Sequence, residues 1–434
     1  MTENSKICQE IKRINDAAIE YLPTNDIVSD ITEKFKNEYP DIVIKATDDG
    51  LAIFNYGIGA DFSDPVVQES RGIIIDLVSL DVVCWPFRKF GKYDEPYVDS
   101  IDWSSAIVQE KIDGSIVKLW WNRLDSKWMW STNSTIDAND AIYNEETKES
   151  FMNIIMKTTE YRKMLDIISG HEYEFVDNID TIQIDRNENV MISDITYIFE
   201  LTSPDNRVVI PYTSYKMRLI GARNVKTGIE YHMTIQDIGK PMTYDLHSLK
   251  DCIEWCSNMN LDEYGTVGKV YGEGFVVVDK YFNRIKIKSP EYMMMHGIIS
   301  GDRKSRACLI DLIYHDKLDI TSICREFPNT AHILCHYKYQ VEELLYEATA
   351  MIDIARKLNK IFTSRKEVAI RIKDKRASMF GFAAISNPKL SAKEIITDFY
   401  NRGKLLNQIP EYNTNSFSDC FRDLPERRPD NNEG

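Results

Sequence analysis

The segment Glu110-Lys111-Ile112-Asp113-Gly114-Ser115 runs straight into Ile116-Val117-Lys118-Leu119-Trp120-Trp121, an apolar stretch of strand character. This K-x-D-G element at the mouth of a strand constrains the chain more than any other feature. A lysine amine placed there can attack the α-phosphorus of a nucleotide and hold it as a phosphoramidate. The glycine lets backbone come close to a ligand, and an acidic neighbour orients the amine, so Glu110 joins the candidate cofactor-binding residues. K-x-D-G alone is a weak signal. The reading rests on whether the other groups that nucleotidyl transfer needs are present, in order.

Bulk properties suit a soluble protein of two or three domains. There are 434 residues, 43% hydrophobic and 28% charged. There is no apolar run of about 18 residues to span a membrane, and Met1-Thr2-Glu3-Asn4-Ser5-Lys6 lacks the apolar core of a signal peptide. Eight cysteines without a C-x-x-C pair fit free thiols in a reducing, cytoplasmic setting. Cys324, His332, Cys335 and His336 match no zinc spacing and read as helix-core residues. Net charge is −15, divided as −18 over residues 1–300 and +3 over 301–434. The acidic part therefore needs local basic patches to meet a polyanion. Residues 356–376 hold nine basic side chains against Glu367 and Asp374.

Periodicity predicts helix over 6–38, broken at Pro23. Strands are expected at Asp41–Ile44, Leu51–Phe54, Gly72–Leu77, Val82–Trp85, Ile116–Trp121 and Trp128–Thr132. The Trp-rich 120–130 segment reads as hairpin packing. Residues 136–170 read as polar helix. Further strands are expected at Tyr173–Val176, Ile195–Leu201, Arg207–Pro211, Gly274–Asp279 and Arg284–Lys288, with a helix over Leu246–Met259. After Pro290 the apolar spacing becomes helical to about 408, and the tail from Pro410 is polar. The expected fold class is α+β: an N-terminal domain of antiparallel sheets with helices over 1–295, then an all-helical C-terminal domain over 296–434.

The remaining requirements of nucleotidyl transfer are phosphate neutralisation, divalent metal and charge stabilisation at a pentacoordinate phosphorus. Arg71, in Ser70-Arg71-Gly72, and Lys89, in Phe87-Arg88-Lys89-Phe90, are candidates for the β- and γ-phosphates. Glu200, in Phe199-Glu200-Leu201-Thr202, and Glu273, before Gly274-Phe275-Val276, are candidates for ribose hydroxyls or for Mg²⁺ and its waters. Lys286 and Lys288 alternate on one strand, so both face one way, toward the α-phosphate. As a solvated edge-strand face, the same alternation would carry no chemistry.

These segments resemble motifs I, III, IV and V of the covalent nucleotidyltransferases, the superfamily of ATP-dependent ligases and mRNA capping enzymes. More narrowly they resemble the bacteriophage single-strand RNA ligases that repair cleaved tRNA, the RNA ligase 1 type. The likeness covers about residues 40–295. It rests on the Arg-Gly and Lys-Phe segments, on Asn206-Arg207-Val208-Val209 and on Lys286-Ile287-Lys288-Ser289-Pro290-Glu291-Tyr292. It implies an N-terminal adenylyltransferase domain, with Lys111 as the adenylated nucleophile and Lys286 and Lys288 on the α-phosphate. Arg71 and Lys89 would contact ATP phosphates, and Glu200 and Glu273 ribose or metal-bound water. Ile53-Phe54-Asn55-Tyr56 resembles a family segment whose tyrosine helps bind ATP, which adds Tyr56. Ile220 and Val276 would sandwich the adenine. The stretch between motifs I and III is longer than in the family, so 133–195 is read as holding an insertion.

The expected activity is ATP-dependent RNA ligation with Mg²⁺, or Mn²⁺, through lysyl-AMP and RNA-adenylate. The expected substrate is RNA, a tRNA with a broken anticodon loop, in the cytoplasm of an infected cell if the chain is phage-encoded. Residues 296–434 would be the RNA-specificity module. A DNA ligase or capping enzyme would carry a small β-barrel after motif V, where this chain reads helical. A non-catalytic RNA-binding relative is the third alternative.

Overall fold

In the computed structural model the described residues are 5–14, 24–169, 192–205, 207–235, 237–262, 266–300, 305–362, 364–373 and 376–412. The expected strand Tyr173–Val176, Asn206, and residues 374–375 and 413–434 lie outside them. Two compact units emerge. One takes in residues up to Met259 together with Tyr271–Ser289; the other takes in Asn260–Val270 and everything from Pro290.

The first unit carries helices α1 (Lys6–Ile14), α2 (Thr24–Glu38), α3 (Pro65–Glu69), α4 (Phe151–Lys157), α5 (Thr159–Ser169) and α6 (Leu249–Cys256). Its strands are β1 (Ile42–Ala46), β2 (Leu51–Tyr56), β3 (Arg71–Asp76), β4 (Asp81–Cys84), β5 (Ile107–Glu110), β6 (Ser115–Asn122), β7 (Lys127–Thr132), β8 (Ile142–Asn144), β9 (Glu149–Ser150), β10 (Ile195–Thr202), β11 (Lys216–Asn224), β12 (Glu230–Tyr231), β13 (Thr243–Tyr244), β14 (Gly274–Val278) and β15 (Arg284–Lys288). They form sheets in the orders β1-β2-β3-β4, β12-β11-β10-β6-β7 and β13-β5-β14-β15, with β8-β9 as a separate hairpin. Every named strand pair is antiparallel.

Alternation fixes how these sheets stack. On β2 and β3, Ala52, Phe54, Ile73 and Ile75 pack on Ile7, Ile11, Ile31 and Phe35 of α1 and α2. The opposite face, Leu51, Ile53 and Ile74, packs on Trp120 of β6. On β6, Val117 and Leu119 point the other way, into a core with Ile154 and Ile155 of α4 and Met164 of α5. The third sheet buries Val108, Phe275, Val277, Ile285 and Ile287 against Cys252 and Cys256 of α6. Burial of this extent, at roughly 25 cal/mol per Å² of apolar surface, makes register a strong constraint. Within the 120–130 hairpin Trp121 meets Trp128 edge-on at 5.5 Å, whereas Trp120 is buried against the first sheet and Trp130 against Phe199 of β10, also at 5.5 Å between ring centroids.

Two expected elements need correction. Residues 136–150 are not helix. Asp137 accepts the Asn139 N–H, and Asn144 Oδ1 accepts those of Glu146 and Thr147. Such side-chain turns compete with helix, which begins only at Phe151, capped by Ser150. Residues 207–211 are not a strand either. The N–H groups of Val209 and Ile210 both donate to Asp113 Oδ2, at 2.8 Å each. The apolar run is a turn wound around a buried carboxylate. Strands β5, β8, β9, β11, β12 and β13 are additional to those expected.

The second unit is helical among its described residues: α7 (Pro290–Ser300), α8 (Ser305–Tyr314), α9 (Ile320–Glu326), α10 (Ala331–Ile361), α11 (Arg365–Ile372), α12 (Ser378–Ser386) and α13 (Ala392–Asn401). Leu344, Ala348, Met351, Ile352 and Ala355 form the buried stripe of α10. Cys324 is half-buried, whereas Cys335 is exposed rather than a core residue. No helix among the described residues is long and apolar enough to cross a membrane.

Candidate active site

Lys111 lies at the crossover from β5 to β6, where the chain leaves the third sheet and enters the central one. Its N–H donates to Gly274 O at 2.9 Å, and the Glu110 N–H donates to Met242 O at 2.8 Å. The turn that follows is held by Asp113, which accepts the Val209 and Ile210 amides while its own N–H donates to Tyr212 Oη at 3.1 Å. Gly114 is required here by packing. A Cβ at that position would lie 2.4 Å from Leu201 O of β10, so the close approach is strand to strand.

The lysine side chain meets Glu273 Oε2 at 2.9 Å, and Lys288 meets the other oxygen, Oε1, at 2.8 Å. Glu273 is only 2% exposed, so this is a buried carboxylate shared by two ammonium groups. The Lys286 amine is pushed down to about 7, first by burial and then by Lys89 and Lys288. Glu200, on β10 opposite Ile116, accepts the Gly114 N–H. Its carboxyl is pushed up to about 7: burial dominates and Glu273 adds to it, against the opposing pull of Lys111 and Arg71.

A pocket of about 420 Å³ opens beside Lys111. Of the residues singled out in the sequence, Arg71, Glu110, Lys111, Glu200, Ile220 and Val276 line it. Two β-bulges aim two of these. Gly72, at φ +81°, is the extra residue between the Phe54–Ile73 and Asn55–Arg71 pairs. Ile220 is the extra residue between the Ile198–Gly221 and Phe199–Leu219 pairs. Arg71 sits 5.1 Å from the ring centroids of both Phe87 and Phe90, and its buried Nη1 has no hydrogen-bond partner among the described residues. The buried Lys118 amine donates to Gly72 O, tying down the bulge that carries Arg71.

Glu273, Lys286 and Lys288 lie outside the pocket lining, and so do Tyr56 and Lys89. The last two touch each other, Lys89 Nζ lying 3.5 Å from Tyr56 Oη and over the rings of Tyr56 and Phe62. Sequence reasoning passed over Arg284, Asn133 and Phe151, which do line it. Arg284 had a signal: it alternates with Lys286 and Lys288 on β15 and so shares their face. It pairs with Glu230 at 2.6 Å. Asn133 and Phe151 come from a loop and a helix start, with no periodicity to announce them.

A divalent cation can be tested against these donors. Among the described residues no group of three or more His, Cys, Asp or Glu forms a metal cage. Both Glu273 oxygens already face ammonium groups. Glu200 lines the pocket with its carboxyl pushed up to about 7, chiefly by burial.

Several known proteins resemble the chain. A "Putative bifunctional polynucleotide kinase/RNA ligase" of Autographa californica nuclear polyhedrosis virus is 26% identical over 290 residues, 63% of this chain but only 37% of that protein. An "RNA ligase" of Rhodothermus phage RM378 is 25% identical over 321 residues, covering 62% of this chain and 68% of the phage protein. Among solved structures, an archaeal ATP-dependent RNA ligase aligns over 75% of this chain and 83% of its own, at 11% identity and a TM-score of 0.37. The sequence model of the RNA ligase family matches residues 69–292, a span that takes in every residue lining the pocket beside Lys111. That span is just over half of the 434 residues, and the chain belongs to the RNA ligase family.

Proposed function

We propose that the protein is an ATP-dependent, AMP-forming RNA ligase that joins a 5′-phosphate to a 3′-hydroxyl. The observation that carries this reading is the Lys111 amine, held by buried Glu273 at 2.9 Å beside a pocket that also holds Arg71, Glu200 and Arg284. In the first step Lys111 Nζ, having given up a proton, bonds to the α-phosphorus of ATP, and the bond to pyrophosphate breaks. In the second, an oxygen of the RNA 5′-phosphate takes that phosphorus, and Lys111 leaves and regains a proton. In the third, the 3′-hydroxyl oxygen bonds to the RNA 5′-phosphorus, AMP departs, and the hydroxyl proton goes to solvent.

Each step displaces a group at a phosphorus, so one set of cations can serve all three. Lys286 and Lys288 would grip the α-phosphate. Arg71, with an unpartnered buried Nη1, and Lys89 would take the outer phosphates. Ile220 and Val276 supply apolar walls for adenine, with Tyr56 acting through Lys89. Glu200 and Glu273 would hold ribose hydroxyls or the waters of Mg²⁺ or Mn²⁺, an ion that supplies further neutralisation of phosphate charge. The finer reading is repair of cleaved tRNA inside an infected cell, with the helical unit choosing the RNA.

The test is incubation with α-labelled ATP or GTP and Mg²⁺. ATP should leave an acid-labile label on the protein and GTP far less. Lys111→Ala should lose the label and all joining of 5′-phosphate RNA, yet still join RNA already adenylated at its 5′ end. A labelled Lys111→Ala protein would remove the lysine from its role.

A further inference from the structure

A second pocket, of about 720 Å³, opens in the same unit beside Glu110 and Glu273. The two pockets share Glu110, and Glu273, which pairs with Lys111, lines the second. Gly274, whose carbonyl accepts the Lys111 N–H, lines it too. The second pocket thus adjoins the backbone carbonyl and the carboxylate that hold Lys111.

The two linings differ in sign. The first holds Arg71, Lys111 and Arg284. The charged side chains of the second are Glu110, Asp251, Glu254 and Glu273, and no Lys, Arg or His lines it. Glu273 is matched by Lys111 and Lys288, but Glu110, Asp251 and Glu254 leave the lining net negative, which disfavours a phosphorylated strand end. Vicinal ribose hydroxyls are donors, and carboxylates accept from them. Beside the acids stands an exposed apolar shelf. Trp255 is 50% exposed, Met242 60% and Tyr271 65%, and Tyr244 meets Trp255 edge-on at 6.0 Å. Half-exposed aromatic rings at the mouth of a pocket suit an unpaired base, which stacks on an aromatic face whatever its sequence. Asn258 adds an amide able to donate to or accept from a base edge.

We propose that this second pocket seats the 3′-terminal nucleoside of the acceptor strand, its base against Trp255 and Tyr271 and its ribose hydroxyls toward the carboxylates. The proposal rests on the ligase reading and deepens it. Phosphate-bearing groups go to the cationic pocket, and the phosphate-free end of the other strand goes to the acidic, aromatic one.

The test uses the full chain, a donor RNA already adenylated at its 5′ end, and acceptor oligoribonucleotides ending in a 3′-hydroxyl. The Trp255→Ala/Tyr271→Ala double variant should raise the acceptor KM about tenfold or more while kcat stays within about threefold. Trp255→Phe/Tyr271→Phe should return KM to near wild type, because a phenyl ring still stacks. With the wild-type protein, removing only the acceptor's terminal base should raise KM by a similar factor, a measurement that needs no variant to fold. In the alanine double variant the same abasic acceptor should bring no added penalty. A wild-type acceptor KM in the double variant, or an abasic penalty that persists in it, overturns the assignment and leaves the pocket to another partner such as a basic peptide. A wild-type protein that neither forms lysyl-AMP nor joins adenylated RNA overturns the ligase reading, and this proposal with it. Formation of lysyl-AMP with an unchanged acceptor KM overturns this proposal alone.

Discussion

At the scale of single residues, the site holds two groups driven toward the same proton affinity from opposite directions. Burial pushes the Glu200 carboxyl up from its ordinary 4.5 to about 7 and pushes the Lys286 amine down from 10.5 to about 7. Each shift makes stability depend on pH. Folded Glu200 holds its proton more tightly than unfolded Glu200. Its contribution is full below about 4.5 and is lost as pH rises through 7. Lys286 acts in the other window. Between 7 and 10.5 the unfolded chain keeps a proton that the folded one has released, so stability recovers as pH rises. In the ligand-free protein these two groups together should produce a dip near pH 7. Glu200→Gln should flatten the acid side of the dip and Lys286→Met the alkaline side, each by on the order of 2 kcal/mol. Melting temperatures from pH 4.5 to 10 measure both. Curves for the variants that run parallel to wild type would show that neither group is perturbed as the burial implies.

At the scale of elements, two bulges place Arg71 and Ile220, and the first can be tested. Gly72 sits at φ +81°, and a Cβ there would lie 2.7 Å from Asn133 O and 2.8 Å from Lys118 Nζ. Gly72→Ala should therefore cost about 1–3 kcal/mol of stability and, with Arg71 in its proposed role on an ATP phosphate, lower the rate of lysyl-AMP formation by about tenfold or more. Thermal melting and adduct kinetics measure the two. An alanine variant with wild-type adduct kinetics would free Arg71 from dependence on the bulge. These same elements show what the sequence made legible. Strands β2, β3, β6, β14 and β15 announce themselves by apolar alternation or continuous apolar runs bounded by turn residues. Strand β11 does not, because the bulge at Ile220 breaks its period of two between Leu219 and Ala222. Strand β5 is four residues long with a single buried side chain, Val108, so it lacks a pattern. The Val208-Val209-Ile210 run misleads for the opposite reason: it is buried as a strand would be, but its backbone donors are spent on Asp113. The charged residues around Lys111 could be named because phosphate chemistry demands charge. The neutral lining, Asn133 and Phe151, is brought in by tertiary packing alone.

At the scale of the whole molecule, charge is unevenly divided. Residues 1–300 carry −18 and residues 301–434 carry +3. In the densest basic stretch, 356–376, Arg356, Lys357 and Lys360 fall on the end of α10 and Arg365, Lys366 and Arg371 on α11, within the helical unit. Its side chains are not equally available. Arg376 is tied to Glu343 at 3.1 Å, and Arg356 donates to Leu390 O. Lys357, Lys360, Arg365, Lys366, Arg371 and Lys373 are exposed, and Arg371 lies 4.0 Å over the Phe362 ring. On the ligase reading, we propose that this exposed cationic face holds an RNA backbone, since the acidic unit lacks the bulk field to do so. Changing Lys360, Arg365, Lys366 and Arg371 together to Ala should weaken binding and joining of a structured RNA, such as a tRNA nicked in its anticodon loop. Four lost phosphate contacts should flatten the slope of log affinity against log salt by roughly 3. Lysyl-AMP formation, proposed to take place in the first unit, should proceed at the wild-type rate. RNA binding measured across a salt series, beside adduct kinetics, separates the two functions. If the quadruple variant folds and joins structured RNA with wild-type rate and salt slope, the basic face does no more than solvate its helices, and RNA choice must lie in the first unit.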